Sequence, residues 1–502
     1  MSLIQVHKVD EVYVRIFAED SIIQEISDYF TFTVPDFSFK RQGKKYWDGK
    51  IRIFNKRTKQ LYFGLVRHLE EFAKEREYQI EVDSNIKLLN NFSLNEGKAF
   101  IDSLNIHSRT KPVSARDYQI IGLTKAIRYK KIVLESPTAS GKSFIIYTIV
   151  RYLLSNKCKK GLLIVPTTSL VEQMYKDFYD YSNNGDSNPW RVNHHCYRVY
   201  DYDGCDRSIT KDLTISTWQS VVQNPDPDYL KQFDFVIGDE AHTFEAKSLA
   251  GIMKKLVNAE YRIGTTGTTK DMKVHKLTLE GYFGPITKLV STKALMDQGH
   301  IATLHIKTLI LKYSPMICNL VERNYQKEIE FLFSFEPRNR FIINLALSLK
   351  NNTLVLFQYI EKHGDILMKM INEKNNNNRK IFFVTGKTET EARESIRAIV
   401  EKETDAIIIA SVGVFSTGVN IRNLHNIIFA SPSKSKIRNL QSIGRSLRLG
   451  DNKDKATLFD IVDDLRSDNY VNYTLKHYAE RYKIYSDEKF KVSTYNIEIK
   501  NE

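Results

Sequence analysis

The chain has 502 residues, 42% of them hydrophobic and 27% charged, which is the composition of a globular protein. Its length allows three domains, or two large domains with an accessory module. No apolar run approaches the roughly 18 residues of a membrane-spanning helix, and four scattered cysteines exclude a disulfide framework. The net charge of +14, from 74 basic and 60 acidic residues, favours a polyanionic partner.

Residues 1–95 are predicted to form a small α+β domain. In it, "VYVRIF" has the pattern of a strand, and "SIIQEISDYF" and "LVRHLEEFAKERE" have the periodicity of helices. Between the helices, residues 40–59 hold nine Lys or Arg against one acid, Asp48. So many like charges repel each other without a partner, which favours phosphate contact over an ordinary solvated face. The run "KIRIF" alternates basic and apolar residues, which predicts a hairpin with its apolar face on the core and its cationic face outward. The candidate nucleic-acid contacts in this predicted hairpin are Lys44, Lys45, Trp47, Lys50 and Arg52.

Two α/β halves follow, at residues 96–288 and 289–502. In each half short apolar strands alternate with helical patterns, which predicts a parallel sheet whose ligands lie at the carboxyl ends of the strands. The last helical segment, "YTLKHYAERYKIYSDEKF", is expected to dock on the second half. The predicted strands are "KIVLE", "GLLIVP", "LTIST" and "FDFVIGDE" in the first half and "TLVLF", "KIFFVTG", "AIIIAS" and "NIIFAS" in the second.

The segment "KIVLESPTASGKSFIIYTIV" predicts a strand, a phosphate-binding loop and a helix. In such a loop, backbone N–H groups hold phosphate at a helix N-terminus, a Lys neutralises the β- and γ-phosphates, and the next hydroxyl ligates Mg²⁺. Ala139 stands where glycine is common, and we predict a negative φ for it because a positive φ would be strained. A second Gly-Lys-Thr, at 386–388, lacks the long loop and is predicted to be a turn that does not bind nucleotide. The phosphate-loop groups are supplied by Ser140, Gly141, Lys142 and Ser143.

The apolar strand in "FDFVIGDEAH" ends in two acids that can have different roles. Asp239 can enter the Mg²⁺ shell, and Glu240 can polarise the attacking water. Upstream, Gln119 in "RDYQ" carries an amide that can read the edge of adenine. Arg445 and Arg448, three residues apart on one predicted helix face, are suited to stabilise charge on a transferred phosphoryl group. With the phosphate loop, these residues predict a site of ATP hydrolysis.

In order along residues 113–465, these segments resemble the motifs of superfamily-two helicases. The Q motif and motifs I, Ia, Ib, II and III resemble "RDYQ", "SPTASGKS", "VPTTSLVEQ", "STWQSV", "DEAH" and "GTTGTT". Motifs IV, V and VI resemble "TLVLF", "SVGVFSTGVNI" and "QSIGRSLR". One such motif is weak evidence, whereas nine in order are specific. The resemblance implies two tandem RecA-like domains, each a parallel sheet flanked by helices, which bind ATP and Mg²⁺ between them and step along a nucleic-acid strand.

The same resemblance implies further site residues. In motif V, Gly418 and Asn420 are implied to contact the nucleotide. Small polar and loop residues of the motifs are implied to contact a nucleic-acid strand without reading its base sequence. For each Ser or Thr among them an ordinary turn role stays open, and for Trp218 we favour packing in the core. The implied strand contacts are Thr167, Ser169, Thr217, Trp218, Gln219, Phe357, Gly386, Ser416 and Thr417.

Segments such as "KYWDGKIRIFNKRTKQLYFGLV" and "FSTGVNIRNLHNIIFASPSKSKIRNLQSIGRSLR" resemble the UvsW-type helicases of T-even bacteriophages. This resemblance implies an ATP-dependent DNA helicase that remodels branched DNA in phage recombination, repair and replication. The implied reactions are fork regression, Holliday-junction migration and the unwinding of R-loops and D-loops. An RNA helicase, and a duplex-DNA translocase that moves without unwinding, stay open as alternatives because no residue pattern here reads a 2′-hydroxyl.

The expected partner is DNA, above all branched DNA, and RNA–DNA hybrids are further candidates. Single-strand-binding and recombination proteins are candidate protein partners, and the chain is expected to be a monomer or loosely associated. The N-terminus has no secretory signal, so we expect a protein of the cytoplasm, here the cytoplasm of a host cell, with no membrane partner.

Overall fold

The computed structural model describes residues 2–33, 48–86, 89–108, 111–183, 190–200, 211–244, 246–267, 273–375, 379–417, 421, 423–431, 444, 455–467 and 470–500. The chain forms two compact units. One consists of Met1–Ser136 and Gly141–Leu289, and the other of Pro137–Ser140 and Val290–Glu502. None of the helices within the described ranges has the length and apolar character that crossing a lipid bilayer requires.

The first unit opens with a small α+β domain. Its elements are β1 (Leu3–Lys8), β2 (Tyr13–Phe17), α1 (Asp20–Tyr29), β3 (Thr31–Thr33), β4 (Lys50–Arg52), β5 (Gln60–Tyr62), α2 (Val66–Glu75) and β6 (Gln79–Val82). Four strands form a sheet in the order β5-β2-β1-β6, and β3 and β4 pair separately as an antiparallel ladder. The two helices form where predicted, because apolar residues at helical spacing, such as Ile22 and Ile26, are buried in the core that the sheet covers.

A parallel α/β domain makes up the rest of the first unit. Its elements are α3 (Leu94–Ser103), β7 (His107–Ser108), β8 (Lys111–Pro112), α4 (Asp117–Tyr129), β9 (Lys131–Glu135), α5 (Lys142–Asn156), β10 (Gly161–Val165), α6 (Thr168–Ser182), α7 (Val192–His195), β11 (Cys196–Val199), β12 (Leu213–Thr217), α8 (Trp218–Val222), β13 (Phe235–Asp239), α9 (Lys247–Lys255), β14 (Tyr261–Thr266), α10 (Lys273–Phe283) and β15 (Ile286–Lys288). Seven parallel strands lie in the order β11-β12-β10-β13-β14-β9-β15. The four predicted strands are present, and their continuous apolar runs reflect burial on both faces of the sheet.

The second unit repeats this parallel architecture. Its elements are α11 (Thr292–Asp297), β16 (Thr303–Lys312), α12 (Pro315–Leu320), α13 (Tyr325–Ser334), α14 (Glu336–Ser348), β17 (Thr353–Phe357), a π-helical turn (Ile360–Gly364), α15 (Asp365–Lys374), β18 (Ile381–Val384), α16 (Thr390–Lys402), β19 (Ile407–Ser411), α17 (Val412–Thr417), β20 (Asn426–Phe429), β21 (Lys455–Asp464), α18 (Tyr473–Asp487) and β22 (Lys491–Glu498). Seven parallel strands lie in the order β18-β19-β17-β20-β21-β16-β22. The predicted architecture of a small α+β domain followed by two parallel α/β halves is confirmed.

The C-terminal helix α18 docks on the second sheet, as predicted. Arg481 donates hydrogen bonds from Nε and Nη2 to the carboxylate of Asp460 on β21, at 3.0 and 2.9 Å, and both side chains are fully buried. The hydroxyl of Tyr485 donates to the same carboxylate at 2.9 Å. Loss of either charged partner would leave the other charge buried without compensation, so this contact fixes α18 on β21.

The small α+β domain packs directly on the α/β domain of its unit. Gly64 lies so close to α10 that a Cβ added there would stand 2.0 Å from the carbonyl oxygen of Glu280. Tyr62 packs edge-on against Tyr282, with ring centroids 5.0 Å apart. Nε2 of His68, on α2, lies 2.7 Å from Oε2 of Glu280. The two domains therefore share an interface that follows α10.

Candidate nucleotide-binding site

The predicted phosphate loop connects the buried strand β9 to the N-terminus of α5. The backbone N–H of Ser136 donates to the carbonyl oxygen of Thr266 at 2.9 Å, which ties the start of the loop to the end of β14. Gly141 has a φ of 82°, and a Cβ added there would stand 2.5 Å from Nε2 of Gln119. Glycine at position 141 is thus required by both the backbone conformation and the space available.

Ala139 has a φ of 68°, so the predicted negative φ is wrong. The loop must turn back on itself between a strand and a helix, and the left-handed conformation that accomplishes this turn falls on Ala139 in place of the usual glycine. A left-handed conformation costs a non-glycine residue roughly 1–2 kcal/mol. Strain of this kind persists where the surrounding structure enforces it, and it is common at functional sites.

The two acids of motif II lie at the carboxyl end of β13, as the parallel topology predicts. Glu240 turns the chain out of the strand with a φ of 50°. Its Oε1 lies 3.2 Å from Nζ of Lys142, so the structure brings the phosphate-loop lysine and the second acid of motif II together. Both side chains are mostly buried, at 16% and 19% exposure, and water therefore screens this ion pair only weakly.

Asp239 carries a buried carboxyl group. Burial raises its pKa, while the nearby Lys142 ammonium and a hydrogen bond from Thr265 oppose that rise. The hydroxyl of Thr265 donates to Oδ1 of Asp239 at 2.8 Å. A cation beside this carboxylate would offset the cost of keeping its charge out of water.

A divalent cation fits the oxygen ligands that the predicted Mg²⁺ residues provide. Ser143, in the first turn of α5, offers a hydroxyl oxygen, and Asp239 offers a buried carboxylate. Mg²⁺ prefers such hard oxygen ligands, commonly one or two from the protein with the remainder from water and substrate phosphates. Their role as Mg²⁺ ligands stays a prediction.

His242 links motif II to motif III. Its Nδ1 lies 2.9 Å from the hydroxyl of Thr266 and 3.4 Å from Oε2 of Glu240. The carbonyl of Thr266 in turn accepts the N–H of Ser136 at the start of the phosphate loop. Three motifs are therefore joined by direct contacts. Neither His242 nor Thr266 was assigned a role from the sequence, although both stand inside segments that resemble helicase motifs.

Gln119 is buried in the first turn of α4. Its Oε1 accepts the backbone N–H of Arg116 at 3.0 Å, which caps the helix, and its amide lies against Gly141 of the phosphate loop. The structure therefore brings the Q-motif glutamine next to the phosphate loop. Its predicted contact with adenine stays a prediction.

The described part of the basic segment presents its charges outward. On β4, Lys50 and Arg52 are exposed, whereas Ile51 between them is half-buried. Arg52 is paired with Asp48 at 2.5 Å, with about half of each side chain exposed. This alternation is the one predicted for the hairpin. The predicted contacts Lys44, Lys45 and Trp47 lie outside the described residues.

Three residues of the first α/β domain that are predicted to contact a nucleic-acid strand lie at the starts of helices and have structural roles there. Thr167 caps α6 through Leu170, and its hydroxyl lies 3.1 Å from that of Ser169. Thr217 caps α8 and is buried. Trp218 is partly buried against the core, which agrees with the packing role favoured for it, and Gln219 is exposed. Contact with a strand stays a prediction for these residues.

In the second α/β domain the prediction for Phe357 needs correction. Its side chain is fully buried on β17 and its ring stacks on Phe383 with centroids 5.6 Å apart, so the side chain is not available to a nucleic-acid strand. Gly386 is exposed in a short turn, where the N–H of Thr388 donates to the carbonyl of Thr385 at 3.1 Å. The backbone of Ser416 and Thr417 ends α17, and their side chains are not described. The predicted residues Gly418, Asn420, Arg445 and Arg448 lie outside the described residues.

Family models match three parts of the chain. "DNA helicase UvsW, N-terminal" matches residues 3–83, "Type III restriction enzyme, res subunit" matches residues 112–271, and "Helicase conserved C-terminal domain" matches residues 338–450. The first of these covers the small α+β domain, and the other two cover the segments that carry the helicase-like motifs.

Individual relatives align with nearly the whole chain. The ATP-dependent DNA helicase uvsW of Enterobacteria phage T4 is 33% identical over 508 residues, covering 97% of this chain and 98% of that protein. The crystal structure of T4 UvsW is similar with a TM-score of 0.51 and 29% identity, and covers 99% of this chain and 100% of that one. The DNA 3'-5' translocase XPB2 of Sulfurisphaera tokodaii is 25% identical, covering 79% of this chain and 88% of that protein.

Proposed function

Because the chain belongs to the UvsW family of superfamily-two helicases, and is an ATP-dependent DNA helicase with tandem RecA-like domains, we propose that it remodels branched DNA. The proposed reactions are fork regression, Holliday-junction migration and R-loop or D-loop unwinding. The observation that carries this proposal is the attachment of the α+β domain, which contains the basic segment 40–59, to the α/β domain that contains the phosphate loop. A duplex arm of DNA bound to the α+β domain would therefore keep a constant position relative to the phosphate loop.

The proposed domain boundaries are 1–95 for a nucleic-acid-binding domain, 96–288 for the first RecA-like domain and 289–502 for the second. Exposed Lys50 and Arg52 support the first assignment, since cations on an alternating strand can contact phosphates while its apolar residues stay in the core. The division of the two units between Leu289 and Val290 supports the boundary between the second and third.

ATP hydrolysis is proposed to use the residues gathered at the ends of β9 and β13. Lys142 would exchange Glu240 for the β- and γ-phosphates, which would release the Glu240 carboxylate to orient and polarise the attacking water. Ser143 and Asp239 would hold Mg²⁺, which neutralises charge on the phosphates when bound. Without nucleotide, the ion pair between Lys142 and Glu240 compensates both charges in a mostly buried site.

The remaining site residues are proposed from the family resemblance. Gln119 would bind adenine from its place beside Gly141. Arg445 and Arg448 would stabilise the transferred phosphoryl group, and Gly418 and Asn420 would contact the nucleotide. The residues proposed to contact the DNA strand are Thr167, Ser169, Thr217, Trp218, Gln219, Gly386, Ser416 and Thr417. The side chain of Phe357 is withdrawn from this set because it is buried in the core.

Steady-state ATPase measurements with different nucleic acids test this proposal. The wild-type chain is compared without nucleic acid and with linear duplex DNA, single-stranded DNA, a four-way junction and single-stranded RNA. Stimulation by DNA that is greatest with the junction supports branched-DNA remodelling. Stimulation by RNA alone contradicts it and favours an RNA helicase. Equal stimulation by junction and linear duplex, with no strand separation in a displacement assay, favours a translocase that moves without unwinding.

A further inference from the structure

The hydroxyl of Ser143, the predicted Mg²⁺ ligand of the phosphate loop, has a partner outside all of the helicase-like motifs. Its Oγ lies 3.0 Å from the hydroxyl oxygen of Tyr181, in the last turn of α6. Tyr181 was assigned no role from the sequence, because nothing in the local pattern distinguishes it from the other tyrosines of "YKDFYDYS". Only the packing of α5 against α6 brings the two hydroxyls together.

Aromatic packing fixes the position of the Tyr181 ring. Phe144 stands edge-on to it with centroids 5.7 Å apart, and Tyr147 is tilted against it at 5.4 Å. Tyr147 is itself fully buried, and its hydroxyl accepts a hydrogen bond from Arg151 at 2.6 Å. Since the neighbouring rings restrict the ring of Tyr181, its hydroxyl is held beside Ser143 and is not free to sample many rotamers.

A serine hydroxyl has one proton and two lone pairs. When its oxygen ligates a cation, the lone pair must face the metal and the proton must point to an acceptor on another side. The oxygen of Tyr181 is placed to accept that proton. Groups that hydrogen-bond to a metal ligand in this way set its orientation, and their loss typically lowers metal affinity 10–100-fold.

We propose that Tyr181 is a positioning residue for the Mg²⁺–nucleotide complex, accepting the Ser143 proton so that the serine oxygen is oriented toward the metal. This inference rests on the proposed ATP and Mg²⁺ site. It adds a residue in the last turn of α6, the helix that begins at Thr168 within motif Ia. The contact between Ser143 and Tyr181 thereby connects the predicted metal ligand of the phosphate loop to α6, whose N-cap Thr167 is a predicted DNA contact.

The test compares Tyr181→Phe with wild type in the binding of a fluorescent ADP analogue as Mg²⁺ is titrated. In Tyr181→Phe we expect a rise of about tenfold in the Mg²⁺ concentration that gives half of the maximal Mg²⁺-dependent change in analogue binding. Binding of the analogue in EDTA should be the same as in wild type. Tyr179→Phe is the matched control, because Tyr179 lies two residues away on the same helix and is 54% exposed. The same titration on Ser143→Ala and on the double variant completes a thermodynamic cycle, in which Tyr181→Phe is expected to have no further effect without the serine hydroxyl.

Two results would overturn the inference. One is an unchanged Mg²⁺ midpoint in Tyr181→Phe, and the other is an equal loss of analogue binding with and without Mg²⁺, which would indicate a purely structural role. Both leave the proposed function intact if wild type binds the analogue and hydrolyses ATP. Failure of wild type to bind the analogue under any condition would instead overturn the nucleotide site and this inference together.

Discussion

Glu11 and Lys131 form a buried ion pair between the small α+β domain and β9, with Oε2 of Glu11 2.7 Å from Nζ of Lys131. Lys131 begins the strand that leads into the phosphate loop, so the pair joins the N-terminal domain to the strand that carries the candidate site. Burial lowers the pKa of Lys131 to about 8, although the Glu11 charge opposes that shift. Burial acts to raise the pKa of Glu11, but Lys131 and Lys8 outweigh it, and the pKa is lowered.

We expect Glu11→Gln to destabilise the first unit by about 3–5 kcal/mol, because it leaves the Lys131 ammonium buried without a counter-charge. Urea denaturation of the full chain measures the loss. The matched control is Glu260→Gln, because Glu260 pairs with the neighbouring Lys130 but is about half exposed, and such pairs contribute at most about 1 kcal/mol. Replacing both members of the buried pair, Glu11→Leu with Lys131→Met, should recover most of the loss. Equal effects of the Glu11 and Glu260 substitutions would contradict this account.

The contact between His68 and Glu280 makes the same interface sensitive to pH. The hydrogen bond to Glu280 raises the pKa of His68 above 6.5, Glu71 adds to the rise, and burial and Lys273 oppose it. A raised pKa means that the folded state holds the proton more tightly than the unfolded state. The contribution of His68 to stability is therefore complete below the unfolded value of 6.5 and is lost as the pH rises through the higher folded value.

Between about pH 6 and about pH 9, wild type should therefore lose more unfolding free energy than His68→Gln. Denaturation midpoints at the two pH values give the comparison. His194→Gln, at an exposed position on α7, is the control and should follow wild type. If His68→Gln and wild type lose the same stability, the imidazole does not contribute to docking through its charge.

Local sequence was sufficient for the elements of the fold and for much of the candidate site. A strand followed by "GKS", and an apolar strand ending in "DE", predicted that Lys142 and Glu240 would meet, because the carboxyl ends of parallel strands lie at one edge of a sheet. The contacts of Glu11 with Lys131 and of His68 with Glu280 could not be predicted in this way. Each contact joins residues more than 100 positions apart in the sequence, and the local sequence around either residue does not indicate which distant residue it contacts.

The two errors have different physical causes. Phe357 ends a strand that is buried on both faces, and such a strand lacks the alternation that would separate inward from outward side chains. Ala139 was expected to avoid a positive φ because of its Cβ, but the loop geometry enforces that conformation. Tyr181 was missed because its contact with Ser143 depends on how α5 and α6 pack, which no motif encodes.

Glu240→Gln should separate hydrolysis from nucleotide binding. The amide keeps the shape of the carboxylate but cannot polarise water as an anion, so we expect kcat for DNA-stimulated ATP hydrolysis to fall by about 10²–10⁴. Nucleotide binding should persist, because Lys142 no longer has to leave a counter-charge to reach the phosphates. Glu172→Gln, which alters a partly exposed pair with Arg198, is the control. A kcat within tenfold of wild type would remove Glu240 from the hydrolytic step.

Lys50→Gln with Arg52→Gln should weaken DNA binding and flatten its dependence on salt. If each cation contacts one phosphate, the slope of log K against log salt concentration should decrease in magnitude by about two for duplex DNA. Lys98→Gln with Lys293→Gln removes the same charge from exposed lysines that pair with acids on their own helices, and should leave the slope unchanged. An unchanged slope in the β4 variant would make that strand an ordinary solvated face.

Arg448→Ala should slow ATP turnover strongly with a milder effect on nucleotide binding. A guanidinium that stabilises charge on the transferred phosphoryl group makes its contact mainly in the transition state, so its loss lowers kcat rather than ground-state affinity. Such arginines contribute about 10³-fold or more to kcat. Arg340→Ala, which removes a partly exposed arginine paired with Glu336 on α14, is the matched control for loss of one charge. If Arg448→Ala hydrolyses ATP at the wild-type rate, the assignment of "QSIGRSLR" as motif VI is wrong.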